Sequence, residues 1–203
     1  MKFYDRSSEI EALNRIEKLS AKNAQMTVIT GRRRIGKTTL IKRAFMNIPF
    51  VYFFVGKKSE GLLCKELVEI VREVLGEDIG DFTSFPRLIS AIMNISKRMN
   101  FTLVLDEFQN FKYVNESIFS DMQDIWDKNK DDSKLNLVIC GSIYSKMRKI
   151  FEDKEEPLYG RATAKFKIRP FSIATLKEIL GDFNPEYTNE DLLCLYMITG
   201  GVA

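Results

Sequence analysis

The chain has 203 residues, of which 45% are hydrophobic and 29% charged, a composition that supports a buried core and excludes a disordered chain. It has no apolar run near the roughly 20 residues of a membrane-spanning helix and no apolar stretch of a signal peptide at its start, so we expect a cytoplasmic protein. Histidine is absent, which excludes Ser-His-Asp and Cys-His nucleophiles and His-ligated metal sites.

The first predicted element is a helix over residues 8–22, with Ser8 as its N-cap and Glu11 completing a capping box. Its apolar positions follow a three-residue spacing and are Ile10, Leu13, Ile16 and Leu19. The net charge is +3, and residues 1–50 carry eleven Lys and Arg against four acids. Part of this excess belongs to the loop described next, so it is only weak evidence for a nucleic-acid partner.

A loop rich in glycine and arginine follows the apolar strand predicted over residues 26–30. Residues 31–38 read Gly-Arg-Arg-Arg-Ile-Gly-Lys-Thr, a full G-x-x-x-x-G-K-[ST] pattern, and a helical segment follows over residues 39–45. This strand, loop and helix order lets backbone N–H groups surround a polyphosphate at a helix N-terminus. The segment therefore predicts a nucleotide site.

Each residue type in the loop has an expected role. The two glycines should supply backbone angles that other residues resist, Lys37 should reach the β- and γ-phosphates, and Thr38 should ligate Mg²⁺. The three arginines are either a solvated cluster or contacts to phosphate, to a neighbouring subunit or to nucleic acid. The predicted nucleotide-binding residues are Gly31, Arg32, Arg33, Arg34, Ile35, Gly36, Lys37, Thr38 and Thr39.

Two carboxylates end the third predicted strand. An aromatic-rich strand over residues 50–55 and helices over 62–75 and 84–99 lead into the apolar strand Phe101–Leu105, which Asp106 and Glu107 follow. Ligands bind at the carboxyl ends of parallel strands, so Asp106 is predicted to hold Mg²⁺. Glu107 is the candidate base that takes a proton from the attacking water.

A helix over residues 114–128 precedes a fourth strand, 135–140, which ends before Gly141 and Ser142. Ser142 has two interpretations that the sequence leaves open: it orients the water or senses the γ-phosphate, or it caps the following helix from residue 143. The three cysteines, Cys64, Cys140 and Cys194, are far apart in apolar surroundings and are predicted to be core residues.

The C-terminal part begins with a partly exposed edge strand over residues 164–169. Ser172 is predicted to open a helix through residue 180, and Thr188 with Asp191 to cap another over 189–198. The alternation of strands and helices predicts an α/β fold with a doubly wound parallel sheet. We expect a P-loop core over residues 1–171 and the start of a helical lid or second domain over 172–203.

Several motifs together resemble the archaeal-type P-loop ATPases, a family grouped with the signal-transduction (STAND) branch of AAA-like ATPases. The resemblance spans nearly the whole chain, and its most specific motifs are the Arg-rich loop and Asp106-Glu-Phe-Gln109. The other motifs are Phe3-Tyr-Asp-Arg6, Gly141-Ser142, Leu158-Tyr-Gly-Arg161 and Pro170-Phe171.

The resemblance implies five parallel strands in the order 5-1-4-3-2. It also implies that residues 3–6 lie near the adenine, that Glu107 polarises the hydrolytic water, and that Arg161 supplies positive charge to a γ-phosphate in cis or in trans. The rival interpretation of Arg161 is a surface ion pair with Glu155 or Glu156. Family members continue past residues 199–203, so a truncated ATPase domain is expected.

Two classes of function stay open, both with ATP and Mg²⁺ as ligands. In one, the protein hydrolyses ATP to drive or time a conformational switch; in the other, it is a nucleotide-gated regulatory module with negligible turnover. A phosphate-transferring kinase is disfavoured because no acceptor pocket can be identified. A homo-oligomer or a protein partner is compatible with both classes, and nucleic acid is weakly supported.

Overall fold

The computed structural model describes residues 4–202. Its centre is one parallel sheet of five strands in the order β2-β3-β4-β1-β5, which confirms the order implied by the resemblance when it is read from the other edge. The strands are β1 (Gln25–Thr30), β2 (Phe50–Phe54), β3 (Phe101–Asp106), β4 (Leu135–Gly141) and β5 (Ala164–Lys167). The carboxyl ends of all five strands therefore lie along one edge of the sheet.

Helices cover both faces of this sheet. They are α1 (Ser7–Ser20), α2 (Lys37–Ala44), α3 (Glu60–Leu75), α4 (Phe85–Ser96), α5 (Phe111–Val114), α6 (Ile118–Asn129), α7 (Tyr144–Glu152), α8 (Ile173–Phe183) and α9 (Asn189–Thr199). One helix was predicted over residues 114–128. The structure instead has a 3₁₀ turn at Phe108–Asn110, the short α5 and then α6, with residues 115–117 between the two helices.

The core forms one cluster on each face of the sheet. Strand residues alternate between the faces, so that Leu103 and Leu105 join the larger cluster under α3, α4 and α6, while Val104 joins the smaller one beneath α1 and α2. All residues of β1, β3 and β4 are buried, which explains why these strands read as apolar runs rather than alternating patterns. The edge strand β5 alternates between partly buried and exposed positions, as predicted.

Capping was predicted correctly at the C-terminal helices and wrongly at the first one. Ser172 accepts a hydrogen bond from the backbone of Thr175, and Thr188 and Asp191 form a capping box at α9. The prediction of Ser8 as a cap is wrong: α1 begins at Ser7, and the residue at its N-cap position is Arg6, in a left-handed conformation without a side-chain cap.

The cysteine prediction is correct for Cys64 and Cys140, which are buried, and wrong for Cys194, which is exposed on α9. Within residues 4–202 we find no helix long and apolar enough to cross a bilayer. The division at residue 171 stays a prediction.

Candidate functional site

The phosphate loop connects β1 to α2 at the carboxyl edge of the sheet. Gly36 occupies the N-cap position of α2 with φ of 90°, and Arg34 has φ of 66°, so the left-handed turn uses one glycine and one arginine. Gly31 was predicted to supply a similar angle, but its φ is not positive. A Cβ there would lie 3.0 Å from the Ile168 carbonyl oxygen, so Gly31 is needed for close packing against the chain after β5.

Lys37 folds back over this loop and is 7% exposed. Its ammonium donates to the carbonyl oxygens of Gly31, at 2.9 Å, and Arg32, at 3.2 Å. Buried ammonium groups need such partners, and these two acceptors hold the side chain within the loop. A phosphate group bound by the loop would therefore meet a lysine that is already in place.

Asp106 ends β3 beside the loop and is 8% exposed. One of its carboxylate oxygens accepts a hydrogen bond from the Tyr52 hydroxyl, and the other accepts from the backbone N–H of Glu107 at 2.9 Å. The two bonds fix the orientation of the carboxylate, whose neighbour Glu107 has φ of 55°, a strained value for a residue with a side chain. Such strain is concentrated at functional sites.

Glu107 is held by two donors on the same carboxylate oxygen. The Ser142 hydroxyl donates to Oε2 at 2.8 Å, and the Gln109 amide donates to the same atom. Gln109 is 1% exposed, and its other amide atom, Oε1, has no partner among the described residues. The bond to Glu107 is thus the contact that orients this buried amide.

The structure tests one of the two interpretations of Ser142, the helix cap. Helix α7 begins at Tyr144, its N-cap residue is Ile143, and no side chain caps it. The prediction of Ser142 as a helix cap is therefore wrong. Ser142 instead bonds to Glu107, and its action on water or phosphate stays a prediction.

Tyr52 is a site residue that sequence reasoning missed. Burial and the hydrogen bond to Asp106 raise the pKa of its phenol, while a hydrogen bond from Thr38 opposes this rise. The Tyr52 hydroxyl thus bonds to Asp106, one of the two side chains predicted to hold Mg²⁺. The aromatic pattern of residues 50–55 predicted the strand but gave no sign of which ring would reach Asp106.

A cavity of about 600 Å³ opens above the loop. The loop and the carboxylates line one end and largely apolar side chains the other. The lining residues are Tyr4, Arg6, Arg33, Arg34, Ile35, Gly36, Lys37, Thr38, Thr39, Asp106, Glu107, Phe171, Ile179 and Phe183. Of the predicted site residues, Gly31, Arg32, Ser142 and Arg161 are not in this lining, although Ser142 lies behind Glu107.

The apolar end joins the start of the chain to α8. The Tyr4 hydroxyl donates to Asp182 at 2.8 Å, Arg6 donates to the Arg169 carbonyl, and the Arg6 guanidinium lies 5.1 Å from the centre of the Phe171 ring. Tyr4 and Arg6 thus line the cavity, and their position near an adenine stays a prediction; Phe3 lies outside the described residues. The sequence suggested a helical lid over residues 172–203 but did not identify the two residues of α8, Ile179 and Phe183, that line the cavity.

Arg161 lies away from the cavity and binds the surface of α6. Its guanidinium contacts the Asp127 carboxylate through Nη2 at 2.7 Å and Nε at 3.1 Å, and Nη1 donates to the carbonyls of Pro157 and Tyr159. The predicted ion pair of Arg161 with Glu155 or Glu156 is wrong, because its partner is Asp127. In this arrangement Arg161 ties the loop after α7 to α6, and its action in a neighbouring subunit stays a prediction.

Comparisons with known proteins identify similar sequences and folds. The family described as an ATPase domain predominantly from Archaea matches residues 3–203. An uncharacterized protein of Methanocaldococcus jannaschii is 31% identical over 98% of this chain, and the match spans 42% of that relative, less than half its length.

Two solved structures share the fold. A Walker-type ATPase of Pyrococcus abyssi superposes with a TM-score of 0.71 and 18% identity, over 98% of this chain and 64% of that one. A STAND protein with a tetratricopeptide repeat sensor from Pyrococcus horikoshii gives a TM-score of 0.61 and 18% identity, over 98% of this chain and 28% of that protein.

Proposed function

Because the chain belongs to the family of ATPase domains found predominantly in Archaea, we propose that it binds ATP with Mg²⁺ in the 600 Å³ cavity and hydrolyses it. The observation that carries the proposal is that Lys37, Thr38, Asp106 and Glu107 line one cavity together with the apolar side chains of Phe171, Ile179 and Phe183. A nucleoside triphosphate has the same polarity, with a charged triphosphate at one end and a flat base at the other. ATPase activity accounts for all of these groups together.

The donor set suits Mg²⁺. The Thr38 hydroxyl and the Asp106 carboxylate are hard oxygen ligands, and Mg²⁺ in nucleotide sites takes one or two protein ligands besides phosphate oxygens and water. Residues 4–202 hold no group of three or more Asp, Glu, Cys or His able to bind a metal by themselves, in keeping with a site completed by phosphate. Mg²⁺ would supply charge neutralisation of the phosphates.

Glu107 is the base in this proposal. Its free carboxylate oxygen accepts a proton from the attacking water, whose oxygen forms a bond to the γ-phosphorus as the bond to the β-phosphate oxygen breaks and ADP leaves. Gln109 and Ser142 hold the other oxygen, which fixes the direction of the carboxylate. Such orientation is what an enzyme must supply for in-line attack.

The apolar end of the cavity would hold the base. Phe171 and Phe183 offer ring surfaces, and Ile179 offers an aliphatic one. Because Phe183 is 72% exposed, a bound base would bury apolar surface that is now in water. Nucleotide binding would then stabilise the position of α8.

Titration calorimetry with ATP and Mg²⁺ tests the site. We expect Lys37→Ala to abolish binding, because it removes the ammonium that meets the phosphates. Lys128→Ala is the matched control, since Lys128 is exposed and paired with Asp124 on α6. If the Lys37→Ala protein bound ATP as tightly as the parent, the site assignment would be wrong.

A second candidate function is a nucleotide-gated switch with negligible turnover. It is favoured by the contact between α8 and the cavity, through which nucleotide binding would order this helix. Single-turnover hydrolysis separates the candidates. Phosphate release within the lifetime of the complex supports the ATPase, and intact ATP in a stable complex supports the switch.

A further inference from the structure

Two lysines surround an exposed tyrosine at the β2 side of the carboxyl edge. Lys57 follows β2, Tyr113 lies in α5 after β3, and Lys146 lies in the first turn of α7 after β4; we call these three residues the Tyr113 cluster. The ammonium groups lie 4.3 Å and 4.6 Å from the ring centre, and Lys146 also donates to the phenol oxygen. Tyr113 is 55% exposed, and a ligand reaches a face of its ring where the ammonium group over it moves aside.

The positive charge of the cluster is not compensated by nearby acids. Among residues 4–202, neither Lys57 nor Lys146 forms an ion pair, whereas the adjacent Lys112 pairs with Glu116 at 3.2 Å. The hydrogen bond from Lys146, together with the charges of the surrounding lysines, lowers the pKa of the Tyr113 phenol. The ring thus lies in a positive local potential.

Helix α7 adds to this potential. Its N-terminus has no side-chain cap, and its first turn contains Lys146 and no acid. Unpaired N–H groups give a helix N-terminus partial positive charge, so a lysine there opposes helix stability. An anion from outside the chain would relieve this repulsion.

The residues of the Tyr113 cluster lie on segments that hydrogen bonds hold in place. The Asn110 amide donates to the Val55 carbonyl at 2.9 Å and ties the end of β2 to the 3₁₀ turn, and Asn115 donates to Glu60 at 2.9 Å. The segments that carry Lys57 and Tyr113 are therefore joined before any ligand binds. A site assembled in this way has a smaller ordering cost on binding.

A second tyrosine and lysine lie along the same edge. Tyr144, in the first turn of α7, is 40% exposed, and the Lys167 ammonium lies 4.1 Å from the centre of its ring. Tyr144 thus adds a second ring that contacts a lysine, in the helix turn that also carries Lys146. Alternating cations and aromatic rings are the arrangement that binds single strands, because phosphates and unstacked bases alternate in the same way.

We propose that the Tyr113 cluster binds single-stranded nucleic acid, with Lys57 and Lys146 on backbone phosphates and the Tyr113 ring stacked on a base. The rings decide between this ligand and an acidic protein segment, since carboxylates would draw the lysines away from the rings and offer nothing to stack in their place, whereas a single strand supplies both phosphates and bases. The bases of a duplex are stacked inside the helix and cannot reach the ring. The site is separate from the nucleotide cavity, whose lining contains none of the three residues.

Fluorescence anisotropy of a labelled oligothymidylate, measured with the full chain and saturating ADP and Mg²⁺, tests this proposal. ADP occupies the phosphate loop, so the oligonucleotide cannot bind there unnoticed. We expect Lys57→Ala and Lys146→Ala each to weaken binding and to reduce the slope of log K against log salt by about 0.7. Lys128→Ala, at an exposed and paired lysine, should leave affinity and slope unchanged.

The aromatic contact has its own pair of variants. Tyr113→Ala should lower the affinity about five- to 150-fold, the equivalent of about 1–3 kcal/mol of base stacking, with the salt slope kept. Tyr113→Phe keeps the ring and should retain most of the affinity. Because Tyr113 is exposed, both variants should fold, and circular dichroism checks this; the exposed loop variant Lys57→Glu provides an independent test of the charge.

Three results would overturn the proposal. One is oligonucleotide binding that is indifferent to Lys57, Lys146 and Tyr113. Another is binding of polyglutamate with the same dependence on the lysines and tighter than that of the oligonucleotide, which would assign the cluster to an acidic protein segment. The third is equal binding of duplex and single strand with no loss in Tyr113→Ala.

Discussion

Arg161 has two possible roles, a structural one and a catalytic one, and the Arg161→Ala variant tests both. The guanidinium of Arg161 joins two parts of the surface, since it contacts Asp127 on α6 and the carbonyls of Pro157 and Tyr159 in the loop before β5. The resemblance instead predicts a positive charge for a γ-phosphate. In a neighbouring subunit, that role would require the guanidinium to exchange Asp127 for phosphate.

The structural cost of Arg161→Ala can be worked out from these contacts. Hydrogen bonds to a charged group are worth about 1.5–3 kcal/mol each when buried, and a partly exposed ion pair about 1 kcal/mol or less. Because the side chains of Arg161 and Asp127 are 22% and 39% exposed, water replaces part of this loss. We expect a destabilisation of about 2–3 kcal/mol, which for a chain of this size lowers Tm by roughly 4–12 °C.

Thermal unfolding measures the first role, and hydrolysis at several protein concentrations measures the second. Asp127→Asn is the matched control, because it weakens the ion pair by about 1 kcal/mol or less and keeps the arginine. If Arg161 acts in trans, Arg161→Ala should lower hydrolysis by about 10³- to 10⁵-fold at concentrations that permit assembly, while Asp127→Asn keeps activity. Inactive Glu107→Gln subunits should then rescue Arg161→Ala subunits on mixing.

Three results would contradict these expectations for Arg161. An Arg161→Ala protein that melts at the parent temperature would show that these contacts contribute nothing to stability. Hydrolysis that is independent of protein concentration and equal in the variant and the parent, below the melting temperature, would remove Arg161 from the mechanism. A loss of activity shared by Asp127→Asn in proportion to Tm would assign both residues to the fold alone.

Three further predictions concern the site and the surface. Glu107→Gln should bind ATP like the parent but hydrolyse it about 10²- to 10⁴-fold more slowly in a phosphate-release assay, because the amide cannot accept the proton; equal rates would contradict this role. Tyr52→Phe removes a donor from Asp106, so half-maximal ATP binding should need more Mg²⁺ in a calorimetric titration, and an unchanged requirement would show that the bond has no such effect. Cys194 should react with a thiol reagent in the native protein while the two buried cysteines react only after denaturation, and labelling of all three at equal rates would contradict the burial seen here.

Much of the fold follows from local patterns in the sequence. The apolar runs before Gly31 and Asp106 predicted two buried strands, and the loop pattern predicted the strand-to-helix junction between them. Ser172 and Thr188 marked helix starts, because an N-cap bonds to a backbone group only a few residues away. Interactions of this kind are encoded within one short segment, so spacing and residue type are enough to identify them.

Reasoning from local patterns failed at residues whose type suits more than one role. Ser8 and Ser142 both had the residue type of a cap, yet α1 begins one residue earlier than predicted and Ser142 bonds to Glu107 instead. Gly31 had the residue type for an unusual φ and serves close packing. For Ser142 and Gly31, contacts with another part of the fold decided the role of the residue.

The sequence by itself determined the phosphate loop, the carboxylates after β3 and the parallel α/β class, because each is written in contiguous residues. Only the tertiary structure placed Tyr52 on Asp106, Asp127 on Arg161, and Tyr4 beside Asp182, a partner 178 residues along the chain. Such pairs depend on how the sheet and its helices pack, which no periodicity along the chain records. The ends of the strands fix where chemistry can occur, and long-range packing decides which side chains reach it.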